Sequence, residues 1–378
     1  MAVLGAVTDA IGERGLAPSP TAVFAAILAS LEKEETLSSP EVVAAMCTVL
    51  SAALVRMPSS VLRSKQQPAV ALMRRVLQRH EDKPATVKTS IGCLPPLLKA
   101  ADKDDWGEGS RDFSLLLNFV VHPTPKVRKK AVAGVMDVLA ALGGHTALQL
   151  ASNEVEAVCG TVLSQPKCAA KAAAEAAKKD RAAAEEKIKQ AVVAALHLLN
   201  CLKEVLPLLT GVTVEKICGL LFNLYPLQQQ LLSLTTSDVL RSLLDSPQSQ
   251  LSPGLVAQLL KALGDSVAVH ERRSHEVCVA LAGVIQTGYQ RLHQLDAPTC
   301  LQQLPGAVHY LVQLLGAEHD GVRYASVRSL VALLSTCLTD DIVRAAIVSS
   351  SSTGAPSPMS SALSSKSWAM KVQHWQEI

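Results

Sequence analysis

The 378-residue sequence predicts an all-α fold, an α-solenoid in which helical hairpins stack in chain order. Three observations predict it: an alanine-, leucine- and valine-rich composition, a self-similarity of roughly forty residues, and helix start and stop signals that divide the chain accordingly. Hydrophobic residues make up 49% of the chain and aromatics only 3%, which suits many closely packed helices better than strands.

The repeat is set by a valine or isoleucine, often beside a charged residue, that opens an apolar helix. The anchors are Val43, Val87, Val127, Ile188, Val239, Val277 and Val322, spaced 44, 40, 61, 51, 38 and 45 residues apart. The clearest pair is HPTPKVRKKAVAGVMDVLAAL (His122–Leu142) with HDGVRYASVRSLVALLSTCL (His319–Leu338), and TVKTSIGCLPPLL is a weaker third copy. Two-helix repeats of about 40 to 47 residues are the HEAT/armadillo-like pattern. Val127, Ala131, Val135, Val138 and Leu142 recur at helical spacing, with Lys126, Lys129 and Lys130 off the stripe. One hairpin cannot bury such a stripe alone, so neighbours must cover it.

The boundary signals follow in order. Ser19-Pro20, Ser39-Pro40 and Ser252-Pro253 each offer a hydroxyl N-cap followed by proline at the first helical position. Thr236-Ser237-Asp238 reads as a similar cap before Val239. Breaks are expected at Gly143-Gly144, Asp245 to Pro253 and Gly316 to Gly321.

The 61-residue interval contains PKCAAKAAAEAAKKDRAAAEEKIK. Glu175 with Lys179 and Glu185 with Lys189 support a helix there, but alanine filler buries little, so 166–190 is expected to be an exposed insertion, helical or partly disordered. The solenoid is expected to span 1–348. The Ser/Pro-rich stretch 349–378 reads as a linker and the start of a following domain.

The formal charge is +3, from 36 basic and 33 acidic residues. Between Lys167 and Lys189 lie seven basic and four acidic residues, which leaves 29 of each sign elsewhere. No global field therefore draws the chain to phosphate or to a membrane. The nine cysteines include no C-x-x-C pair and mostly sit in apolar runs, the pattern of reduced core thiols in an intracellular protein rather than a disulfide framework or zinc site. The start, MAVLGAVTDAIGERG, has no basic n-region and carries Asp9 and Glu13, which argues against a signal peptide. Ala191–Leu209, the most apolar window, is interrupted by Lys203 and Glu204 and reads as too short for a membrane span.

Chemistry is sparse. There is no phosphate-cradling glycine loop, no G-x-S-x-G elbow and no H-E-x-x-H pair, so no enzyme and no cofactor is expected. His270, His275 and His293 lie close in sequence, and His275 with Cys278 could share a helix face, but such residues are usually ordinary surface or core groups. Two basic groups remain: Lys126, Arg128, Lys129 and Lys130 at one helix start, and Arg63, Lys65, Arg74, Arg75 and Arg79 in VLRSKQQPAVALMRRVLQRH. Solvated faces are the default for both. Arg128 and Arg323, each after the repeat valine, are expected to form a structural ladder by bonding a neighbouring repeat. Lys126, Lys129, Lys130, Arg74 and Arg75 are the candidates for RNA-backbone or partner contact. Few aromatics interleave, which disfavours stacking of single-stranded bases.

HPTPKVRKKA, with SVLRSK and GCLPPLLKAADKDDW, resembles the amino-terminal HEAT region of the ribosomal RNA-processing protein twelve family, over roughly Phe24 to Leu338. His122, Pro123, Pro125, Lys126, Val127, Arg128 and Lys129 carry the likeness most specifically. The resemblance implies a non-enzymatic nucleolar scaffold for small-subunit maturation and pre-ribosome export, binding assembly factors and pre-rRNA, in the nucleus and nucleolus with shuttling to the cytoplasm and no membrane partner. It also implies that the sequence stops about where that family's next domain begins, as a fragment or a shortened form. The alternative reading is an importin-type transport receptor or adaptor, which would bind the Ran GTPase or nucleoporins.

Overall fold

The computed structural model describes residues 2–104, 106–175, 181–270 and 274–337. The expected linker at 349–378, the expected end of the solenoid at 338–348 and Lys178, Lys179 and Asp180 of the insertion lie outside the described residues.

Every regular element among the described residues is helical. Beside short 3-10 turns at Asn118–Val121, Leu206–Leu208 and Tyr225–Leu227, the α-helices in chain order are α1 (Ala2–Gly12), α2 (Pro20–Leu31), α3 (Glu34–Leu37), α4 (Pro40–Leu54), α5 (Ser59–Arg79), α6 (Pro84–Ile91), α7 (Leu94–Ala100), α8 (Gly107–Leu117) and α9 (Pro125–Leu142). They continue as α10 (Ala147–Glu175), α11 (Arg181–Val205), α12 (Gly211–Phe222), α13 (Gln230–Asp245), α14 (Pro253–His270), α15 (His275–Leu295), α16 (Ala297–Leu315) and α17 (Asp320–Cys337). The fold is an all-α solenoid.

Two layers run the length of the stack. The second helices pack in series: α4 on α6, α6 on α9, α9 on α11, then α13, α15 and α17. Among the first helices α8 packs on α10, α10 on α12, α12 on α14 and α14 on α16. All seven anchor residues fall on second helices, and six of them, Ile188 excepted, are buried. α6 and α7 form one kinked second helix, because Pro95 and Pro96 cannot donate to the carbonyls a turn earlier.

Val127, Ala131, Val135, Val138 and Leu142 on α9 are fully buried, while Lys126, Lys129 and Lys130 face solvent. Each such valine or leucine contributes about 1.5–3 kcal/mol on burial. The polar contacts keep the same register. Ser51 Oγ donates to Gly92 O (3.2 Å), Lys103 Nζ to Ala141 O (2.7 Å) and Ser242 Oγ to Lys203 O (3.2 Å), joining residues 41, 38 and 39 apart. Across the long interval the separations grow. Thr210 N donates to Ser152 Oγ over 58 residues, and Lys216 pairs with Glu156 over 60. The stack is thus continuous across the long interval, through contacts of α10 with the start of α12. Lys167–Glu175 and Arg181–Gln190 are helical and exposed or half-buried. There Arg181 pairs with Glu185 (3.2 Å) and Lys189 with Glu186 (4.0 Å).

The break at Gly143-Gly144 falls between helices as expected, while those expected at Asp245 to Pro253 and Gly316 to Gly321 are narrower, 246–252 and 316–319, because Asp245 ends α13, Pro253 opens α14, and Asp320 and Gly321 open α17. Ser19 Oγ accepts from Ala22 N and Ser252 Oγ from Leu255 N, both at 3.1 Å, whereas Ser39 begins α4 without a side-chain cap.

Two expectations are corrected. Thr236-Ser237-Asp238 is no helix start; it lies inside α13, which begins at Gln230. Thr235 Oγ1 and Ser237 Oγ donate to the carbonyls of Leu231 and Ser233, a turn back, which accommodates hydroxyls in a helix interior. The apolar window around Ala191–Leu209 belongs to a longer helical run, Arg181–Leu208, which is long and apolar enough to cross a membrane by length and composition. In the fold it is a packed second helix, with Ala195, Leu198, Leu199 and Leu202 buried against α10 and α13.

Candidate partner-binding surface

The HPTPKVR element is built around Arg128. Its Nη1 donates to His122 O and Pro123 O, both at 2.7 Å, so the guanidinium closes the turn between α8 and α9. Arg323 Nη1 does the same to Ala317 O and Glu318 O, both at 2.8 Å, and also pairs with Asp320. Each arginine thus holds its own inter-helix turn, where the sequence reading had it bonding a neighbouring repeat. The reason is local: the side chain points back toward the N-terminal end of its helix, where carbonyls of the connecting turn stand within its reach.

His122 Nδ1 accepts the Thr124 amide (3.0 Å) at the start of α9. Burial and the nearby Arg128 charge hold His122 below its ordinary value, and the same two causes lower His197 on α11.

Lys126, Lys129 and Lys130 are exposed on α9, and among the described residues none makes an ion pair. The Lys130 stem lies over the backbone at Gly92, where an added Cβ would stand 2.8 Å from Cε. The arginine candidates sit elsewhere. Arg74 on α5 pairs with Asp112 on α8 (2.7 Å), and Arg75 pairs with Glu34 (2.8 Å), which Arg79 also contacts. Burial raises the Asp112 carboxyl above its ordinary value, an effect that the Arg74 charge opposes. Arg74 and Arg75 are thus committed to neighbouring repeats, and the structure does not join them with the α9 lysines in one patch: α5 is a first helix and α9 a second.

The histidines and thiols are ordinary in most places. His275 stacks on His319 (centroids 4.1 Å apart) and contacts Glu276, while Cys278 is fully buried in α15. Burial pushes the thiols of Cys201 and Cys218 up to about 12, far from nucleophilic character. One grouping escaped the sequence reading: Cys300 and Cys337 meet with Sγ atoms 3.8 Å apart, beside His293. Their 37-residue separation, close to the repeat length, is the signal that could have paired them.

The family described as RRP12-like, N-terminal HEAT repeats, matches residues 1–251. The RRP12-like protein of Homo sapiens is 28% identical over 359 residues, covering 93% of this chain and 26% of that protein. Those of Gallus gallus and Drosophila melanogaster are 27% and 25% identical, covering 89% and 90% of this chain and 25% and 24% of theirs. The chain thus spans about a quarter of the length of these relatives. Among solved structures it is similar to karyopherin Kap121p, solved bound to the SUMO protease Ulp1p (TM-score 0.45, 13% identity, 85% of this chain and 34% of that one). It is also similar to an engineered protein (TM-score 0.38, 12% identity, 86% and 70%). The chain belongs to the family of RRP12-like N-terminal HEAT repeats.

Proposed function

We propose that this chain is a non-enzymatic scaffold in ribosome biogenesis, which docks pre-ribosomal assembly factors and the backbone of pre-rRNA during rRNA processing, small-subunit maturation and pre-ribosome export. The observation that carries this reading is the family match over residues 1–251, which includes the HPTPKVRKKA element. A serial stack of hairpins supports a docking role, since it offers long continuous faces. The α9 lysines support phosphate contact better than Arg74 and Arg75: all five are exposed, but of the five only the two arginines are paired with a carboxylate among the described residues. On this reading the protein works in the nucleus and nucleolus, shuttles to the cytoplasm and needs no membrane.

The test is affinity capture of the tagged chain from nuclear extract, with bound protein and RNA identified, alongside immunostaining. Small-subunit precursors and their assembly factors in the eluate, with nucleolar staining, are expected. A purely cytosolic distribution, or direct nucleotide-dependent binding of the Ran GTPase with cargo release, would overturn it, the latter in favour of a transport receptor.

A further inference from the structure

We propose that His293, Cys300 and Cys337 form a binding site for a thiophilic divalent metal ion, with Zn2+ the best fit. The three donor atoms, one ring nitrogen and two sulfurs, all lie within 4.8 Å of one another. Cys300 and Cys337 are fully buried, and Nδ1 of His293 is buried without a hydrogen-bond partner. A buried ring nitrogen left without a partner costs free energy unless something fills the place.

The fold makes this trio from three elements. Asp296 ends α15 and caps α16, its carboxylate accepting from Thr299 N (3.2 Å) and Thr299 Oγ1 (2.6 Å). That tight turn folds α16 back on α15, so that Cys300 approaches both His293 and the Tyr289 carbonyl (3.4 Å). α17 packs on both helices and brings Cys337, its last residue, to Cys300.

The chemistry fits zinc. Tetrahedral Zn2+ with Zn–S bonds of about 2.3 Å holds two sulfurs about 3.8 Å apart. Here the Sγ atoms are 3.8 Å apart. Two thiolates and an imidazole are a recognised zinc donor set, and three protein ligands leave a fourth position for a solvent or other donor. On binding, each thiol releases its proton to solvent and two S–metal bonds form. The ion would clamp α15, α16 and α17 together without any change of oxidation state.

The test is a Co2+ titration of the reduced, purified chain, followed by its thiolate-to-metal charge-transfer absorption, with Zn2+ then added as competitor. The expected result is one tetrahedral Co2+ per chain, displaced by Zn2+. Cys300→Ser and Cys337→Ser should each abolish it, His293→Ala should weaken it by more than about tenfold, and Cys168→Ser should leave it intact. Because a cysteine variant could simply fail to fold, melting of the wild-type chain with Zn2+ against chelator is the second measurement, and Zn2+ should raise Tm. No charge-transfer band in the wild type, bands that persist in both cysteine variants, an unchanged affinity in His293→Ala, or a Cys300–Cys337 disulfide whose reduced form takes up no Co2+ would each overturn the site.

Discussion

Arg128 and Arg323 hold their turns in the same way, each donating through Nη1 to the carbonyls six and five residues before it. A charged nitrogen that donates to two carbonyls of the connecting turn fixes the angle at which the next helix leaves, and that angle sets how one hairpin meets its neighbour. Arg128→Ala should therefore cost about 1.5–3 kcal/mol in denaturant unfolding. Arg128→Lys should recover only part of this, because the lysine side chain is one bond shorter than the path to Nη1 and reaches the two carbonyls less well. Full stability in both variants would remove Arg128 from the structural frame.

Phosphate contact by the α9 lysines is testable without touching the core. Lys126→Glu with Lys129→Glu should weaken RNA binding and reduce the slope of log affinity against log salt by about one for each phosphate that is no longer neutralised. Arg74→Ala should instead lower stability, since it strands the buried Asp112 carboxylate, and should leave the salt slope unchanged. Filter binding across a salt series, with circular dichroism as the fold check, separates the two.

Gly134 sits in α9 where a Cβ would stand 2.7 Å from Pro95 Cγ and 3.3 Å from Leu116 Cδ2. Helix propensity alone favours alanine by about 1 kcal/mol. The proline ring cannot swing away, so Gly134→Ala is expected to destabilise by about 1–3 kcal/mol. A stabilised variant in thermal melts would mean that α7 and α9 are less closely packed than described.

The pH dependence follows from His122. Its folded value lies below the ordinary one, so the unfolded chain protonates first as pH falls. The stability that the neutral ring contributes is therefore complete above about pH 6.5 and is lost as pH drops through the folded value. Tm should fall between about pH 7.5 and about pH 5.5, and less so in His122→Asn, which keeps an acceptor for the Thr124 amide. His197 shifts in the same direction and accounts for part of the remainder. An identical fall in the wild type and in His122→Asn would contradict this role.

The insertion offers a further check. The stack bridges it through Thr210 to Ser152 and Lys216 to Glu156, while buried residues resume only at Ala191 on the far side. Replacing residues 169–188 by a short glycine-serine link should shift Tm by no more than a few degrees. A collapse of the melting transition would show that these residues pack on the solenoid.

What was legible in the sequence was the part written in apolar spacing. The stripe of α9 and the anchor valines of the second helices are patterns of burial, and burial is decided by periodicity. What was not legible depended on neighbours. Thr236 and Ser237 look like a cap because their hydroxyls can bond backbone locally, and only the packing of α13 shows both inside a helix, where Ser237 bonds backward to the Ser233 carbonyl. Arg74 and Arg75 look like free cations until Asp112 and Glu34 arrive from adjacent repeats. Arg128 reads from the sequence as bonding a neighbouring repeat, but its partners are two carbonyls of its own turn, which have no signature in residue type.

The central claim, a docking stack at work on pre-ribosomes, is tested most directly by sedimenting the tagged chain from nuclear extract on a sucrose gradient at low salt. The account predicts that it travels with small-subunit precursor RNA and moves to the top of the gradient after ribonuclease treatment. A chain that stays at the top whether or not the RNA is intact would contradict it.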